Sequence, residues 1–253
     1  MAHSLSALAA VLAFCLSSSA LAGTTIETQG FTIDDRWGVS LKLLSDSNNV
    51  AKFDLTNIAT IDYSVTERYE WNGGDMKFDF FSVSARDGYR VTSIEYSGVI
   101  SGELIPAPDY PDKWPNSYWG GTATNSSQAT FSAYDPDAHP ANYVQKVLTF
   151  NNLNETVPFS LQNSTLLLPQ AFQIDLNVSA WLGLTPGGGD WFPGQGDEGY
   201  YSWTTPSTTK LRVLNPVLTL TYAPLSAVPE PSTYAMLLAG LALCGIVRRR
   251  RAG

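Results

Sequence analysis

Long stretches of this chain alternate apolar and polar residues with a period of two, and that pattern constrains the fold more than any other feature. Phe78, Phe80, Ser82 and Ser84 interleave with Asp79, Phe81 and Val83, and Ile174, Leu176 and Val178 interleave with Asp175, Asn177 and Ser179. Successive side chains of a strand point to opposite faces, so such segments read as strands with one buried face. Further strands are expected over 31–34, 39–44, 51–57, 61–69, 89–104, 143–151 and 210–222. Turn chemistry separates them at Asp46-Ser47-Asn48-Asn49, at Asn72-Gly73-Gly74-Asp75 and at Asp87-Gly88, the last read as a tight hairpin. Between residues 23 and 226 no helical stripe exceeds about ten residues. The expectation is an all-β chain, an antiparallel β-sandwich of jelly-roll type, with one β domain or two left open. The lack of a fixed-period repeat disfavours solenoids and propellers.

Two stretches interrupt the alternation. Residues 105–121 hold Pro106, Pro108, Pro111 and Pro115 beside Tyr110, Trp114, Tyr118 and Trp119, and residues 183–199 are glycine-rich around Trp191 and Phe192. Proline lacks the ladder donor and glycine weakens a strand interior, so both stretches are expected as long loops rather than central strands. Long loops carrying aromatic rings are places to look for binding. Trp114, Tyr118, Trp119 and Trp191 are therefore candidate ligand-binding residues, with lids over the open ends of the sandwich as the alternative.

Composition removes several chemistries. Both cysteines, Cys15 and Cys244, lie in terminal apolar segments, so residues 23–226 offer no disulfide, thiolate nucleophile or cysteine metal ligand. His139 is the only histidine there, set in the turn-like Asp135-Pro136-Asp137-Ala138-His139-Pro140, and no Gly-x-Ser-x-Gly elbow accompanies it. No zinc site is expected. Calcium takes carboxylate and carbonyl oxygens, which Asp109/Asp112, Asp135/Asp137 and Asp190/Asp197/Glu198 supply, so a calcium ion at the last cluster is kept as an alternative to no cofactor. Glu67, Glu70, Glu95, Glu103, Glu155 and Glu198 could furnish a glycosidase carboxyl pair, but no motif singles one out, and no enzyme is expected. The sequons at Asn125, Asn154, Asn163 and Asn177 reflect the abundance of Asn, Ser and Thr. Eleven basic against twenty-two acidic side chains in this region argue against nucleic acid as a partner.

The ends are of another kind. Residues 1–22 run from a short polar start through an apolar stretch to Ala20-Leu21-Ala22, which fits cleavage by signal peptidase, whose pocket admits only small side chains at Ala20 and Ala22. Residues 227–253 run through Pro229-Glu230-Pro231-Ser232-Thr233, an uncharged segment over 234–247, and Arg248, Arg249, Arg250 and Arg251. Fourteen apolar residues make about 21 Å of helix against a hydrocarbon core of about 30 Å. Extension back to Ser232 and snorkelling arginines bring a transmembrane helix within reach of a thin bilayer. The arginine cluster holds its end of that helix in the cytoplasm while the body is exported. Pro229 and Pro231 keep Glu230 in an extended stretch able to enter a protease cleft.

The order of Pro229-Glu230-Pro231, apolar helix and arginine cluster resembles the PEP-CTERM sorting signal of Gram-negative bacteria. The resemblance covers residues 227–253 only. It implies Pro229, Glu230 and Pro231 as the recognition motif, Arg248–Arg251 as stop-transfer, and an exosortase as the processing partner beside signal peptidase. It also implies a transient inner-membrane anchor, then delivery to the cell envelope, surface or medium of a producer of extracellular polysaccharide or biofilm. For residues 23–226 the expected role is structural or adhesive within such a polysaccharide envelope. The alternative is a lectin-like glycan-binding module using the loop aromatics, with calcium if any metal, and the remotest is a carboxylate glycoside hydrolase.

Overall fold

A computed structural model describes residues 24–35, 41–109, 117–137, 143–164, 169–191, 199, 201–225 and 236. The described residues are all-β, with antiparallel sheets and one single-turn helix inside them. The strands are β1 (Thr24–Glu27), β2 (Phe31–Asp35), β3 (Lys42–Ser47), β4 (Val50–Asp54), β5 (Ile61–Glu67), β6 (Trp71–Ala85), β7 (Tyr89–Ile105), β8 (Ser117–Trp119), β9 (Thr122–Tyr134), β10 (Val144–Asn151), β11 (Thr156–Asn163), β12 (Ala171–Thr185), β13 (Gly187–Trp191), β14 (Tyr201–Thr205) and β15 (Ser207–Pro224). The helix, α1 (Thr56–Ala59), follows β4, where Asp54 Oδ1 accepts the Thr56 N–H at 2.8 Å.

One six-stranded sheet has the order β1-β2-β6-β12-β9-β10. The second runs β11-β7-β15-β4-β3, with β5 also paired to β15. A third, small sheet is β14-β13-β8. The inward phases of the two large sheets, among them Phe31, Ile33, Phe81, Phe131 and Ile174 from the first and Phe53, Ile94, Tyr96, Leu211 and Leu218 from the second, form one buried core. Period-two alternation thus produces the bilayered packing directly, since each strand buries every other side chain.

Several expectations change here. Asp87-Gly88 is not a hairpin: β6 lies in the first sheet and β7 in the second, and the turn, with Gly88 at φ 82°, is a corner between them. The tight hairpin is instead β3–β4, whose two loop residues Asn48 and Asn49 have φ 53° and 63°, the left-handed pair that a twisted two-residue turn needs. Asn72-Gly73-Gly74-Asp75 is not a turn but part of β6, paired along its length to β12. Strand β15 carries Pro216 in a bulge with Asn215 at φ 51°, and there it exchanges one neighbour, β5, for another, β4. Proline is tolerated at Pro158 because β11 is an edge strand.

β13 corrects the loop reading most directly. Gly187–Trp191 is the central strand of the small sheet, between β8 and β14. Its glycines are required because neighbours press on its backbone. A Cβ on Gly188 would stand 2.7 Å from Trp119 Cζ2 and 2.6 Å from the Trp203 carbonyl oxygen. The small sheet adjoins the large ones through the chain itself, β13 starting two residues after β12 ends at Thr185 and β14 ending two residues before β15 starts at Ser207. At that junction the buried Ser207 hydroxyl accepts the Ala107 N–H at 2.9 Å and donates to the Thr185 carbonyl at 2.7 Å.

Candidate functional site

On β12 the inward phase is Phe172, Ile174, Leu176, Val178, Ala180 and Leu182, all buried. Trp181 falls on the other phase, with Ser179 and Gly183, and is 56% exposed. Its register partner on β6 is Gly74, and a Cβ there would stand 2.8 Å from Trp181 Cδ2, so the indole lies over glycine backbone with no side chain beneath it. Such seating of an aromatic ring on a cross-strand glycine orders the ring while leaving its far side to solvent. Met76 and Phe78 continue the same outward phase of β6 and are also exposed, with the Phe78 and Phe80 rings 6.4 Å apart.

Beside the ring, on β9 and β10, the same face turns polar. Asn72, Thr124, Ser126, Asn151 and Asn152 line a depression of about 370 Å³ with Trp181, and a smaller one of about 230 Å³ adds Gln128, Thr149 and Ser179. Among the described residues no charged side chain lines either one. The floor is held by Asn125, whose buried amide donates to the Leu153 carbonyl at 2.8 Å and the Lys210 carbonyl at 3.2 Å, while its Oδ1 accepts the Leu153 N–H at 2.7 Å. These three bonds fasten the β10–β11 turn to both large sheets, so the polar groups of that turn are positioned before any ligand arrives. On β12 an acid on the outward phase is Asp175, six residues from Trp181 and hence about 20 Å along the strand. Burial raises its pKa, against the lowering effect of the Tyr134 hydroxyl donating at 3.3 Å.

The sequence-derived ligand candidates are partly brought together. Tyr118 and Trp119 lie in β8, opposite Gly189 and Gly188 of β13, and Trp191 ends the same β13. Trp119 is 40% exposed, seated on Gly188 as Trp181 is on Gly74, and is neither a buried lid nor a free loop ring. Tyr118 packs its ring 5.7 Å from Trp203, a residue of β14. Trp114 lies outside the described residues. Trp181, Met76 and Phe78 were missed because loops were searched rather than strands. The available signal was phase, since a tryptophan on the serine and asparagine side of an amphipathic strand cannot be core.

Of the calcium candidates, Asp190 sits within β13 opposite Ser117 and Ser202, while Asp197, Glu198 and Asp112 fall outside the described residues, as does His139. Asp135 Oδ1 accepts the Asp137 N–H at 2.9 Å within its own turn. Among the described residues no group of three or more His, Cys, Asp or Glu side chains is placed to hold a metal ion. Glu95 accepts from the Ser160 hydroxyl and Glu103 from Lys210, each at 2.7 Å. Of the sequon asparagines, Asn125 and Asn163 are buried, Asn154 Oδ1 accepts the Leu104 N–H, and Asn177 donates to the Met76 sulfur at 3.5 Å.

Ala20, Ala22, Pro229, Glu230, Pro231 and Arg248–Arg251 lie outside the described residues. Among the described residues no helix is long and apolar enough to cross a membrane, and the segment expected to do so, 234–247, is outside them apart from Met236.

No curated protein matches the chain in sequence. Among solved structures it is similar to TmCBM61 in complex with β-1,4-galactotriose, at 8% identity and TM-score 0.23, over 73% of this chain and 88% of that one. It is also similar to the infectious bursal disease virus VP2 subviral particle, at 11% identity and TM-score 0.20, over 66% of this chain and 38% of that one. TM-scores of this size establish no common ligand or site. The family model for the PEP-CTERM protein-sorting motif matches residues 227–251. Such a motif implies an exported protein, sorted to the envelope or surface with an exosortase as its processing enzyme. The chain thus carries, over residues 227–251, a PEP-CTERM protein-sorting motif.

Proposed function

We propose that residues 23–226 are one jelly-roll-like β-sandwich domain displayed at the cell surface, adhesive by binding extracellular polysaccharide on the Trp181 face. The passage of the chain between sheets at β2–β3, β5–β6, β6–β7, β10–β11 and β11–β12 supports the jelly-roll connectivity. One observation carries the binding: a half-exposed tryptophan on a polar strand phase, seated on glycine and bordered by amides and hydroxyls without charge. Sugar rings present an apolar C–H face to such a ring and hydroxyls to the amides around it. The absence of charge among the described lining residues favours neutral over uronate-bearing chains, with binding little affected by salt. The role is one of binding, with no catalytic group assigned.

Trp181→Ala should weaken binding to neutral polysaccharide at least about tenfold, a change of about 1.4 kcal/mol. Its melting temperature should move little, because an exposed ring contributes little to the core. Trp119→Ala in parallel reports on the small sheet, and a chelator arm on calcium. Unchanged affinity of Trp181→Ala in an affinity-gel or calorimetric assay would remove the glycan reading. The exposed Met76 and Phe78 support a second reading, a structural protein that self-associates through this face. Sedimentation of Phe78→Ser against the parent chain separates the two.

A further inference from the structure

We infer that the sandwich is a polar spacer, its sorting tail leaving from one pole and its ligand face lying at the other. β6 ends at Ala85 and β7 begins at Tyr89, so the β6–β7 corner marks one pole. β15 runs antiparallel to β7, pairing Thr208 with Ile105 and Pro224 with Tyr89, so the last strand of the body ends at that same corner. The Leu225 N–H bonds the Gly88 carbonyl there at 2.7 Å. Pro229 is only four residues beyond Leu225 in the sequence, a chain length that spans at most about 14 Å. Separation by peeling is disfavoured, because β15 is paired on both sides, to β7 and to β4 and β5.

The Trp181 row lies away from that pole. Ala171 pairs with Ser84 beside the corner, and Trp181 pairs with Gly74 ten residues further along both strands, about 33 Å at the usual strand rise. The small sheet bearing Trp119 adjoins the same distant pole, since β13 begins two residues after Thr185, the end of β12, and β14 ends two residues before Ser207, the start of β15. A body attached through its tail therefore holds both aromatic sites outward. The ligand half of this inference rests on the reading above, whereas the polarity rests on strand direction alone.

Single cysteines test it, because residues 23–226 contain none and a Cys244→Ser background removes the one in the tail. Asp87→Cys marks the tail pole and Glu155→Cys the other, both at exposed positions of the full chain. On intact producing cells a long maleimide-polyethylene glycol should label position 155 several-fold faster than position 87, and in detergent extracts the two should label alike. Equal rates on cells, the reverse order, or no labelling of either until detergent is added would overturn the proposal. Polar labelling combined with unchanged polysaccharide binding by Trp181→Ala would keep the polarity and discard the ligand.

Discussion

Gly102→Ala is expected to destabilise the protein by about 3 kcal/mol or more, at the upper end of overpacking substitutions. Gly102 faces inward on β7, and a Cβ there would stand 2.2 Å from the Leu153 carbonyl oxygen and 2.9 Å from Asn125 Nδ2. Neither neighbour yields cheaply. The Leu153 oxygen is backbone in a turn fixed by Asn125, and moving the Asn125 amide breaks bonds whose loss inside the protein costs about 1–3 kcal/mol. For a body of this size about 3 kcal/mol lowers the melting temperature by roughly 10 °C. Gly88→Ala is the control: its φ of 82° carries the left-handed penalty of about 1–2 kcal/mol but nothing stands within 4 Å of the added carbon. Equal melting temperatures for Gly102→Ala and the parent would contradict the packing described between the sheets.

Asp79→Asn is expected to stabilise the protein at neutral pH by on the order of 2 kcal/mol. Asp79 occupies the inward phase of β6 and is 2% exposed. One carboxylate oxygen accepts the Phe80 N–H at 2.7 Å, and the other has no hydrogen-bond partner. Burial first, and the neighbouring Asp35 second, push its pKa up from 3.8 to about 6, against the lowering effect of the Phe80 bond. Below the unfolded value both states are protonated. Between it and about 6 the unfolded chain releases the proton while the folded protein keeps it. Folding stability contributed by this group is therefore full below pH 3.8 and is lost as pH rises towards about 6. Urea midpoints across that window should fall for the parent chain and stay flatter for Asp79→Asn. Parallel pH profiles for the two would show that Asp79 titrates normally.

The same residue shows what alternation did and did not reveal. The alternation over 78–84 marked a strand without telling its buried side: Phe81 and Val83 face the core, but Asp79 shares their phase, and Phe78 and Phe80 share the phase of Ser82 and Ser84. Strand character was therefore readable there, whereas side-chain chemistry on β6 ran against its phase. β9 was missed altogether, because Thr122–Tyr134 is written mostly in Ser, Thr, Ala and Asn, and of its inward residues Asn125, Ser127, Ala129, Phe131 and Ala133 only Phe131 is a large apolar one. A central strand whose inward residues are mostly small carries little hydrophobic signal, though it is paired along its length to β12 and over Ser126–Ala133 to β10. The glycines of β6 read as a turn and those of β13 as a long loop for the same local reason, since the rings seated on Gly74 and Gly188, Trp181 and Trp119, come from strands distant in sequence. The sorting tail was legible because its signal is linear, set by residue order rather than by tertiary packing.

The place where a sugar meets this surface can be read residue by residue. In a nitrogen-15 correlation spectrum of the exported body, each tryptophan indole N–H gives its own resonance, assignable by single substitutions. Titration with a neutral oligosaccharide from the host's secreted polysaccharide should shift the Trp181 indole together with the side-chain amides of Asn151 and Asn152, leaving the buried Asn125 amide nearly unmoved. A titration that saturates without moving the Trp181 indole, or one that moves only signals at the β6–β7 corner, would contradict the placement of the binding face.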